Sequence, residues 1–454
     1  MKKTTNTAKR LVSKSSKKEI ASAIKHNHKA RGHRQRIAIV GGGIAGMGCA
    51  HFLKDEYEIQ VFEKSNYVGG HTNTVYVEEN GKKIPIDTGF IVFNHETYPN
   101  LKKLFEDLGV STKKTSMSFS VQHVPEGLEY CGSGLDGLFA QRRNLLNPKF
   151  LRLLWNINRF NKEAPSILQD PTFESYSLER YIRAANYHPD LLQYYLIPMS
   201  SAVWSTPQDL MLQFPAYSLV RFFLNHGFLG LNTQHQWYTV VNGSIEYVKL
   251  LTASLRSHFH TNTEVTSVEK LGPSKVKLFY KQGKPEVFDK VVLAGHADQS
   301  LKILKNADSR QRRLLSQFKY QRNKATLHTD ASVMPKTKNT WSSWNYRMDR
   351  IDGVIRPHII YWMNCLQQVS KKQDYFVSID DPGLIDPKKI LKEIDYTHPL
   401  FHVGSLQAQH SLPELNANGP IYFCGSYFRY GFHEDALWSA RILSEAILQR
   451  SVWK

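Results

Sequence analysis

Short apolar runs alternate along the chain with glycine-rich turns and with stretches of helical periodicity. The run that begins at Arg36 and the run Glu58–Phe62 are typical of buried strands, and a helix is expected between them, after the glycine-rich turn. The same order returns at the far end, where Ile421–Phe423 predicts a strand and a helix opens near Glu434. Strands that alternate with helices predict an α/β fold of the Rossmann type.

The turn after the first strand reads G-x-G-x-x-G, with Gly41, Gly43 and Gly46 as its glycines. In a dinucleotide-binding turn the first glycine permits a tight bend, the second lets a diphosphate approach the backbone, and the third lets the helix pack closely on the strand. The phosphates are expected at the start of the helix, at Ile44 and Ala45, because helix N-termini attract anions. Packing of helix on strand alone would also explain such a turn, so the neighbouring segments must show whether a nucleotide binds there.

The segments after the second strand favour FAD over NAD. Glu63, followed by Lys64, lies about 20 residues past the glycines, where a carboxylate accepts the ribose hydroxyls of an adenine nucleotide and disfavours a 2′-phosphate. Gly69 and Gly70 form a second glycine pair that could pass close to the diphosphate, and His71 follows them directly.

A further cofactor-binding stretch is predicted near the end of the chain. Gly425 and Ser426 follow the last strand, an aromatic loop comes next, and a helix opens around Asp435 and Ala436. The acids there suit a helix N-terminus, and the helix amides are expected near the flavin.

Together these segments resemble the flavin amine oxidase superfamily, over nearly the whole chain beyond residue 35. One branch, the predicted NAD/FAD-binding amine-oxidase-like proteins, is often associated with cyclopropane or methyl-branched fatty acid chemistry. The segments that resemble this branch are residues 87–94, 138–145, 341–346, 361–367 and 431–437.

The resemblance implies a two-domain fold, in which a Rossmann-type FAD-binding domain is interleaved with an α+β substrate domain. It also implies that Val265 makes a backbone contact to adenine. Two positions depart from the wider superfamily, because His71 stands where many relatives have Arg and Ser426 stands where many have Glu.

The segments predicted from these patterns alternate between the two domains. They are a basic disordered tail (1–35), a first FAD-binding segment (36–115), a helical first segment of the substrate domain (116–235), a second FAD-binding segment (236–310), a sheet-rich second segment of the substrate domain (311–414) and a third FAD-binding segment (415–454).

Two stretches of the helical insertion admit two interpretations each. Residues 147–160 predict an amphipathic basic helix, which either packs on the domain core or lies at a membrane interface. Residues 218–231 form core or the apolar wall of an acyl tunnel.

Charge is concentrated at the beginning of the chain. The 454 residues carry a net charge of +19, and residues 1–36 contain 12 Lys or Arg against one acid, Glu19. The tail is either a solvated extension or a segment that binds an anionic membrane surface, with an organellar presequence as a third interpretation, and no specific nucleic-acid partner is expected. Because no apolar run of about 18 residues and no signal peptide occur, we expect a cytoplasmic protein, with peripheral membrane attachment as an alternative.

The four cysteines are scattered, which supports neither a metal site nor a disulfide framework. Cys424 lies beside the predicted flavin loop and could link to the cofactor, but a strand cysteine is usually core, so noncovalent FAD is expected.

The predicted reaction is hydride transfer between FAD and a lipid acyl chain that is unsaturated, methyl-branched or carries a cyclopropane ring. The alternatives are a flavin amine oxidase and an FAD-dependent double-bond isomerase, and a methyltransferase or an electron-transfer protein is the candidate partner. If a catalytic base is needed, the candidates are His71, His296, Tyr430 and His433, each of which could instead contact phosphate or backbone. The sequence leaves open the substrate itself, the electron acceptor and the oligomeric state.

Overall fold

The computed structural model describes residues 34–230 and 233–453. The predicted basic tail lies outside the described residues except for Arg34 and Gln35, and so does Leu231 at the end of the predicted apolar wall. The chain forms two compact units. Unit 1 comprises residues 34–70, 248–319 and 407–453, and unit 2 comprises residues 71–247 and 320–406. The six functional segments predicted above stay a prediction.

The strands of the described residues, in chain order, are β1 (Arg36–Val40), β2 (Glu58–Phe62), β3 (Thr74–Glu79), β4 (Lys82–Asp87), β5 (Phe93–Asn94), β6 (Thr112–Thr115), β7 (Phe119–His123), β8 (Leu128–Cys131), β9 (Trp237–Val240), β10 (Phe259–His260), β11 (Val265–Lys270), β12 (Val276–Tyr280), β13 (Glu286–Phe288), β14 (Lys290–Leu293), β15 (Lys319–His328), β16 (Trp344–Ile351), β17 (Val354–Trp362), β18 (Phe376–Ile379), β19 (Ile390–Leu400) and β20 (Ile421–Phe423).

The α-helices of the same residues are α1 (Ile44–Leu53), α2 (Pro99–Leu108), α3 (Gly134–Leu138), α4 (Pro148–Glu163), α5 (Leu178–Ala184), α6 (Pro189–Leu191), α7 (Ile197–Trp204), α8 (Gln208–Leu212), α9 (Ala216–Asn225), α10 (Ile245–Thr252), α11 (Ala297–Ile303), α12 (Ser309–Leu315), α13 (Met363–Leu366), α14 (Val403–Ser411) and α15 (His433–Leu448).

Unit 1 is built on a parallel five-stranded sheet in the order β10-β2-β1-β14-β20. In chain order this is 3-2-1-4-5, the arrangement of the Rossmann fold, so the predicted fold class is confirmed. The central strand β1 is apolar because both faces of the sheet are covered, and Ile37 and Ile39 are completely buried. Helix α1 packs against α15, where a Cβ on Gly48 would lie only 3.0 Å from Leu437 Cδ1.

Unit 2 contains a seven-stranded sheet in the order β19-β15-β18-β17-β16-β7-β8, together with the helices α2 to α9. The insertion predicted to be helical also supplies β7 and β8. Strand β7 pairs in parallel with β16 of the other insertion, and Phe119 lies opposite Trp344. This pairing joins segments more than 200 residues apart, so the local hydrophobic pattern could not reveal it.

Within residues 34–230 and 233–453, every helix is too short or too polar to cross a bilayer.

Candidate functional site

The turn between β1 and α1 has the geometry of a phosphate-binding loop. Gly41 has a φ of +111°, a conformation that favours glycine, and its N–H donates to the Phe62 carbonyl at 2.9 Å. A Cβ on Gly46 would lie 1.9 Å from the Gly41 carbonyl oxygen. No side chain fits at that distance, so Gly46 is required for the close packing of helix on strand.

Gly43 is different, because nothing in the described protein requires glycine there. Its φ of −75° and ψ of −178° are open to any residue, and no described atom lies within 4 Å of an added Cβ. Gly43 caps α1 without a side-chain hydrogen bond, and no acid lies in the first turn, which begins at Ile44 and Ala45. The first N–H groups of the helix therefore have no acidic side chain beside them in that turn, which suits a bound anion.

The second glycine pair packs directly on this turn. Gly69 donates its N–H to the Gly42 carbonyl at 2.9 Å and forms an isolated bridge with Gly43. A Cβ on Gly70, whose φ is +61°, would lie 3.2 Å from Gly43 Cα. The structure thus brings both predicted glycine segments to one place.

Glu63 is held rigidly beside the turn. Its Oε2 accepts the N–H of Gly42 at 2.7 Å and its Oε1 accepts the N–H of Ser65 at 2.8 Å. Each carboxylate oxygen keeps a further lone pair, so Glu63 can also accept ribose hydroxyls. Lys64 is exposed, and Val265 is buried at the start of β11.

The loops that follow β14 and β20 meet the first turn at the same edge of the sheet. A Cβ on Gly41 would lie 3.2 Å from the Ala294 carbonyl, and a Cβ on Gly425 would lie 3.2 Å from the Gly295 carbonyl oxygen. In open α/β sheets, ligands bind at this carboxyl edge, where the strand order reverses. In unit 1 that point lies between β1 and β14.

The loop between β20 and α15 is fixed by polar side chains that the sequence did not single out. Gly425 donates its N–H to Ser439 Oγ at 2.8 Å. The Gln409 side-chain amide donates to the Tyr427 carbonyl at 3.0 Å and also to the Arg429 carbonyl. Ser439 lies on α15, 14 residues after Gly425, and Gln409 lies on α14, 18 residues before Tyr427.

Asp435 and Ala436 lie in the first turn of α15, as predicted, and Ser426 lies in the loop before it. Asp435 Oδ2 accepts the N–H of Phe432 at 2.9 Å, and Arg429 Nε lies 3.7 Å from Oδ1. Burial raises the pKa of Asp435, and the charge of Arg429 offsets part of that rise.

The four candidate bases are divided between the two units. His296 precedes α11, Tyr430 lies in the loop before α15, and His433 is the first residue of α15, all in unit 1. His71 belongs to unit 2, where its ring stacks on Tyr396 with centroids 5.1 Å apart. Burial lowers the pKa of His71, so its imidazole is neutral near pH 7. The catalytic roles of all four stay predictions.

Unit 2 also contains a buried carboxylate whose importance the sequence did not indicate. Asp87 accepts hydrogen bonds from Thr74 Oγ1, from Gln367 Nε2 at 2.6 Å, and from both the N–H and the hydroxyl of Ser244. Burial raises the pKa of Asp87 to about 6 in spite of these bonds. The cluster ties β4 to the start of α10.

The cysteine nearest the flavin loop is not placed for attachment to a cofactor. Cys424 is completely buried with its Sγ 3.7 Å from Cys49 Sγ, and both thiols are free. The hydrogen bond with Cys49, together with burial, raises the pKa of the Cys424 thiol, which disfavours the reactive thiolate. Among the described residues, no three His, Cys, Asp or Glu side chains are grouped to hold a metal ion.

Comparison with known families identifies the family of this chain. The family model of flavin containing amine oxidoreductases matches residues 44–347, about two thirds of the chain. The chain belongs to this family. It is therefore an FAD-dependent oxidoreductase, as the sequence predicts.

Solved structures share the fold of this flavin oxidoreductase at low sequence identity. Cyclohexylamine oxidase from Brevibacterium oxydans is 14% identical with a TM-score of 0.63, and the match covers 92% of this chain and all of that one. The CLA-producing fatty acid isomerase from P. acnes is 13% identical with a TM-score of 0.65, and the match covers 92% of this chain and 99% of that one.

A sequence relative matches a short part of the chain. An uncharacterized protein of Acanthamoeba polyphaga mimivirus is 39% identical over 71 residues, which are 15% of this chain and 14% of that protein.

The residues of unit 1 fit FAD. Open space at Gly43 leaves room for a diphosphate against the first N–H groups of α1, and Glu63 offers carboxylate oxygens beside it. The predicted contacts of individual residues to the cofactor stay predictions.

Proposed function

We propose that this flavin oxidoreductase transfers a hydride between FAD and the acyl chain of a lipid, at a carbon next to a double bond, a cyclopropane ring or a methyl branch. FAD supplies a hydride acceptor or donor at its N5 atom. The protein supplies the binding energy, the orientation of the acyl chain and the exclusion of water.

The observation that carries this proposal is the hydrogen bonding of the buried acids in unit 2. In the described residues of that unit the buried acids are Asp87, Glu129, Asp330 and Asp349. Each carboxylate already accepts at least two hydrogen bonds from protein donors. None of these carboxylates lacks protein donors, so none requires a substrate ammonium as its partner, and burying a cation without a dedicated carboxylate is costly. An uncharged acyl chain has no such requirement.

The interior of unit 2 supplies apolar surface instead. Trp204 contacts Phe214 and Phe222 with ring centroids 4.6 Å apart in both cases, and Phe401 lies 6.2 Å from Phe214. All four side chains of this cluster are buried, and Phe222 belongs to α9, the helix within the predicted apolar wall. A fatty acid isomerase with the same fold adds support, since that fold accommodates an acyl chain in another protein. The resemblance to the branch associated with branched fatty acids points the same way.

Among the candidate bases, His71 has a pKa that suits proton acceptance. His71, whose pKa burial lowers, is a proton acceptor at neutral pH and not an acid. Removing a hydride from a saturated carbon yields an alkene only if a neighbouring carbon also loses a proton, so dehydrogenation of an acyl chain needs a proton acceptor, for which His71 is a candidate. Glu63, whose two oxygens already hold backbone N–H groups, serves binding alone.

The test is anaerobic reduction of the purified holoenzyme, followed by flavin absorbance. We expect phospholipids with unsaturated, methyl-branched or cyclopropane acyl chains to change the redox state of the flavin, or reduced enzyme to be reoxidised by them. Amines such as cyclohexylamine and putrescine should leave the flavin unchanged. Bleaching by amines with all lipids inert would restore the amine oxidase, and a double bond moved without lasting bleaching would make the protein an isomerase.

A further inference from the structure

Large apolar side chains are exposed together in one region of unit 2. Of the 14 large hydrophobic residues exposed in the described chain, five lie between residues 135 and 155. They are Leu135, Leu145, Leu146, Leu151 and Trp155, and we call them the leucine–tryptophan surface. Leu146 is 89% exposed and Trp155 is 60% exposed, whereas such side chains are ordinarily buried.

The helix α4 shows why these residues cannot reach the core. Its buried face consists of Phe150, Leu153 and Phe160, together with Asn156. Leu151 and Trp155 are four residues apart and so lie on one side of the helix, away from that face. The apolar residues of this helix span a broad arc, of which the domain covers only the part that contains Phe150, Leu153 and Phe160.

Basic side chains outnumber acidic ones in the same segment of the chain. Residues 134–163 contain six Lys or Arg and two acids, a net charge of +4. Lys149 and Lys162 are exposed on the same helix, and the guanidinium of Arg159 lies 5.9 Å from the centre of the Trp155 ring. Arginines that pair with acids here do so at the surface, where such pairs contribute little to stability. Apolar side chains, a tryptophan and an excess of positive charge on one helix are characteristic of helices that lie in a membrane interface.

We propose that the leucine–tryptophan surface docks this protein on the anionic leaflet of a phospholipid bilayer. Leu146, Leu151 and Trp155 enter the boundary between headgroups and acyl chains, and Lys149 and Lys162 contact lipid phosphates. Charge favours an anionic membrane over two other partners, a second copy of this protein and the chain's own basic N-terminal segment. Two copies of a segment with a net charge of +4 repel each other, even though Asp190 pairs with Arg152, and the lysine-rich segment before residue 34 is positive as well. The proposal concerns attachment only, and it holds whichever substrate is oxidised.

The test uses the full-length holoenzyme and sedimentation with vesicles of phosphatidylcholine alone or mixed with phosphatidylglycerol. Binding is measured at low salt and at about 1 M salt, where the Debye length falls to about 3 Å and the contribution of the basic tail is screened. We expect the double variant Leu146→Gln, Trp155→Gln to lose at least tenfold in partitioning to phosphatidylglycerol vesicles at high salt. Lys149→Gln, Lys162→Gln should weaken binding at low salt only.

Two controls keep the result specific. Leu391→Gln changes a leucine of unit 2 that is 43% exposed, the same fraction as Leu151, and should bind vesicles as the wild type does. Trp155→Phe keeps an aromatic ring and should retain most of the binding. All these positions are exposed, so flavin content and thermal unfolding should stay unchanged. Equal vesicle binding by the double variant and the wild type would overturn the proposal, as would a wild-type dimer in solution that the double variant cannot form.

Discussion

The replacement Gly43→Ala tests whether glycine at this position is required for folding or only for the binding of FAD. Gly43 has an ordinary φ, and a methyl group there would meet no described atom within 4 Å. Alanine reduces the entropy of the unfolded chain, which stabilises by about 0.4–1 kcal/mol. It is also a poorer helix N-cap than glycine, at a cost of similar size. We therefore expect the free energy of unfolding of the apoprotein to change by less than about 1 kcal/mol.

Affinity for FAD should respond quite differently. The methyl group would occupy space that the diphosphate needs, and the phosphates would lose at least one hydrogen bond to the N-terminus of α1. A hydrogen bond to a charged group contributes about 1.5–3 kcal/mol. Since about 1.4 kcal/mol corresponds to a factor of ten, the Kd for FAD should rise about 10- to 150-fold.

The assay is titration of apoprotein with FAD by flavin fluorescence, beside denaturant unfolding of the same preparations. Gly46→Ala provides the contrast, because its Cβ would lie 1.9 Å from the Gly41 carbonyl oxygen and must distort the turn. It should lower both affinity and stability. Gly272→Ala is a matched control in unit 1, also with no described atom within 4 Å. If Gly43→Ala binds FAD as tightly as Gly272→Ala does, the diphosphate does not pass Gly43 and the assignment of the turn is refuted.

Three further predictions concern side chains. Glu63→Gln places an amide N–H against a backbone N–H and should raise the Kd for FAD about tenfold in the same titration, so an unchanged Kd would exclude Glu63 from the ribose site. The pKa of Asp87 in the folded protein, about 6, exceeds its unfolded value of about 3.9, so its protonation favours folding. That contribution is complete below about pH 4 and is lost as the pH rises through 6, up to about 3 kcal/mol. Denaturant unfolding between pH 4 and 7.5 should show this slope for the wild type and not for Asp87→Asn. Gln409→Leu removes two donors to the loop before α15 and should lower stability by about 1–3 kcal/mol while weakening FAD binding, with unchanged unfolding as the contrary result.

The cofactor-binding half of the fold was predictable because its signals are local. Strands β1 and β2 begin and end as predicted, since each is a short apolar run that stops at glycine or at a charged residue. The meeting of the Gly69–Gly70 pair with the first turn also follows from the sequence, because both segments leave adjacent parallel strands at the same sheet edge.

The features that escaped prediction depend on distant partners. Asp87 and Gln367 are 280 residues apart, and nothing beside either residue indicates that they share a hydrogen bond. The outward position of Trp155 is a second case. Helical periodicity gives the angular spacing of side chains, but it cannot say which portion of a broad apolar arc the rest of the domain covers.

The N-termini of α1 and α15, both in unit 1, differ in charge, and this difference indicates which portion of FAD each can face. Helix α1 has no acid in its first turn, so its positive end is available to a diphosphate. Helix α15 has Glu434 and Asp435 in its first turn, and Asp435 already accepts the N–H of Phe432. A second anion at α15 would be repelled by these carboxylates. These charges therefore favour α1 as the site of the diphosphate, and the start of α15 suits an uncharged polar group such as the edge of the flavin ring.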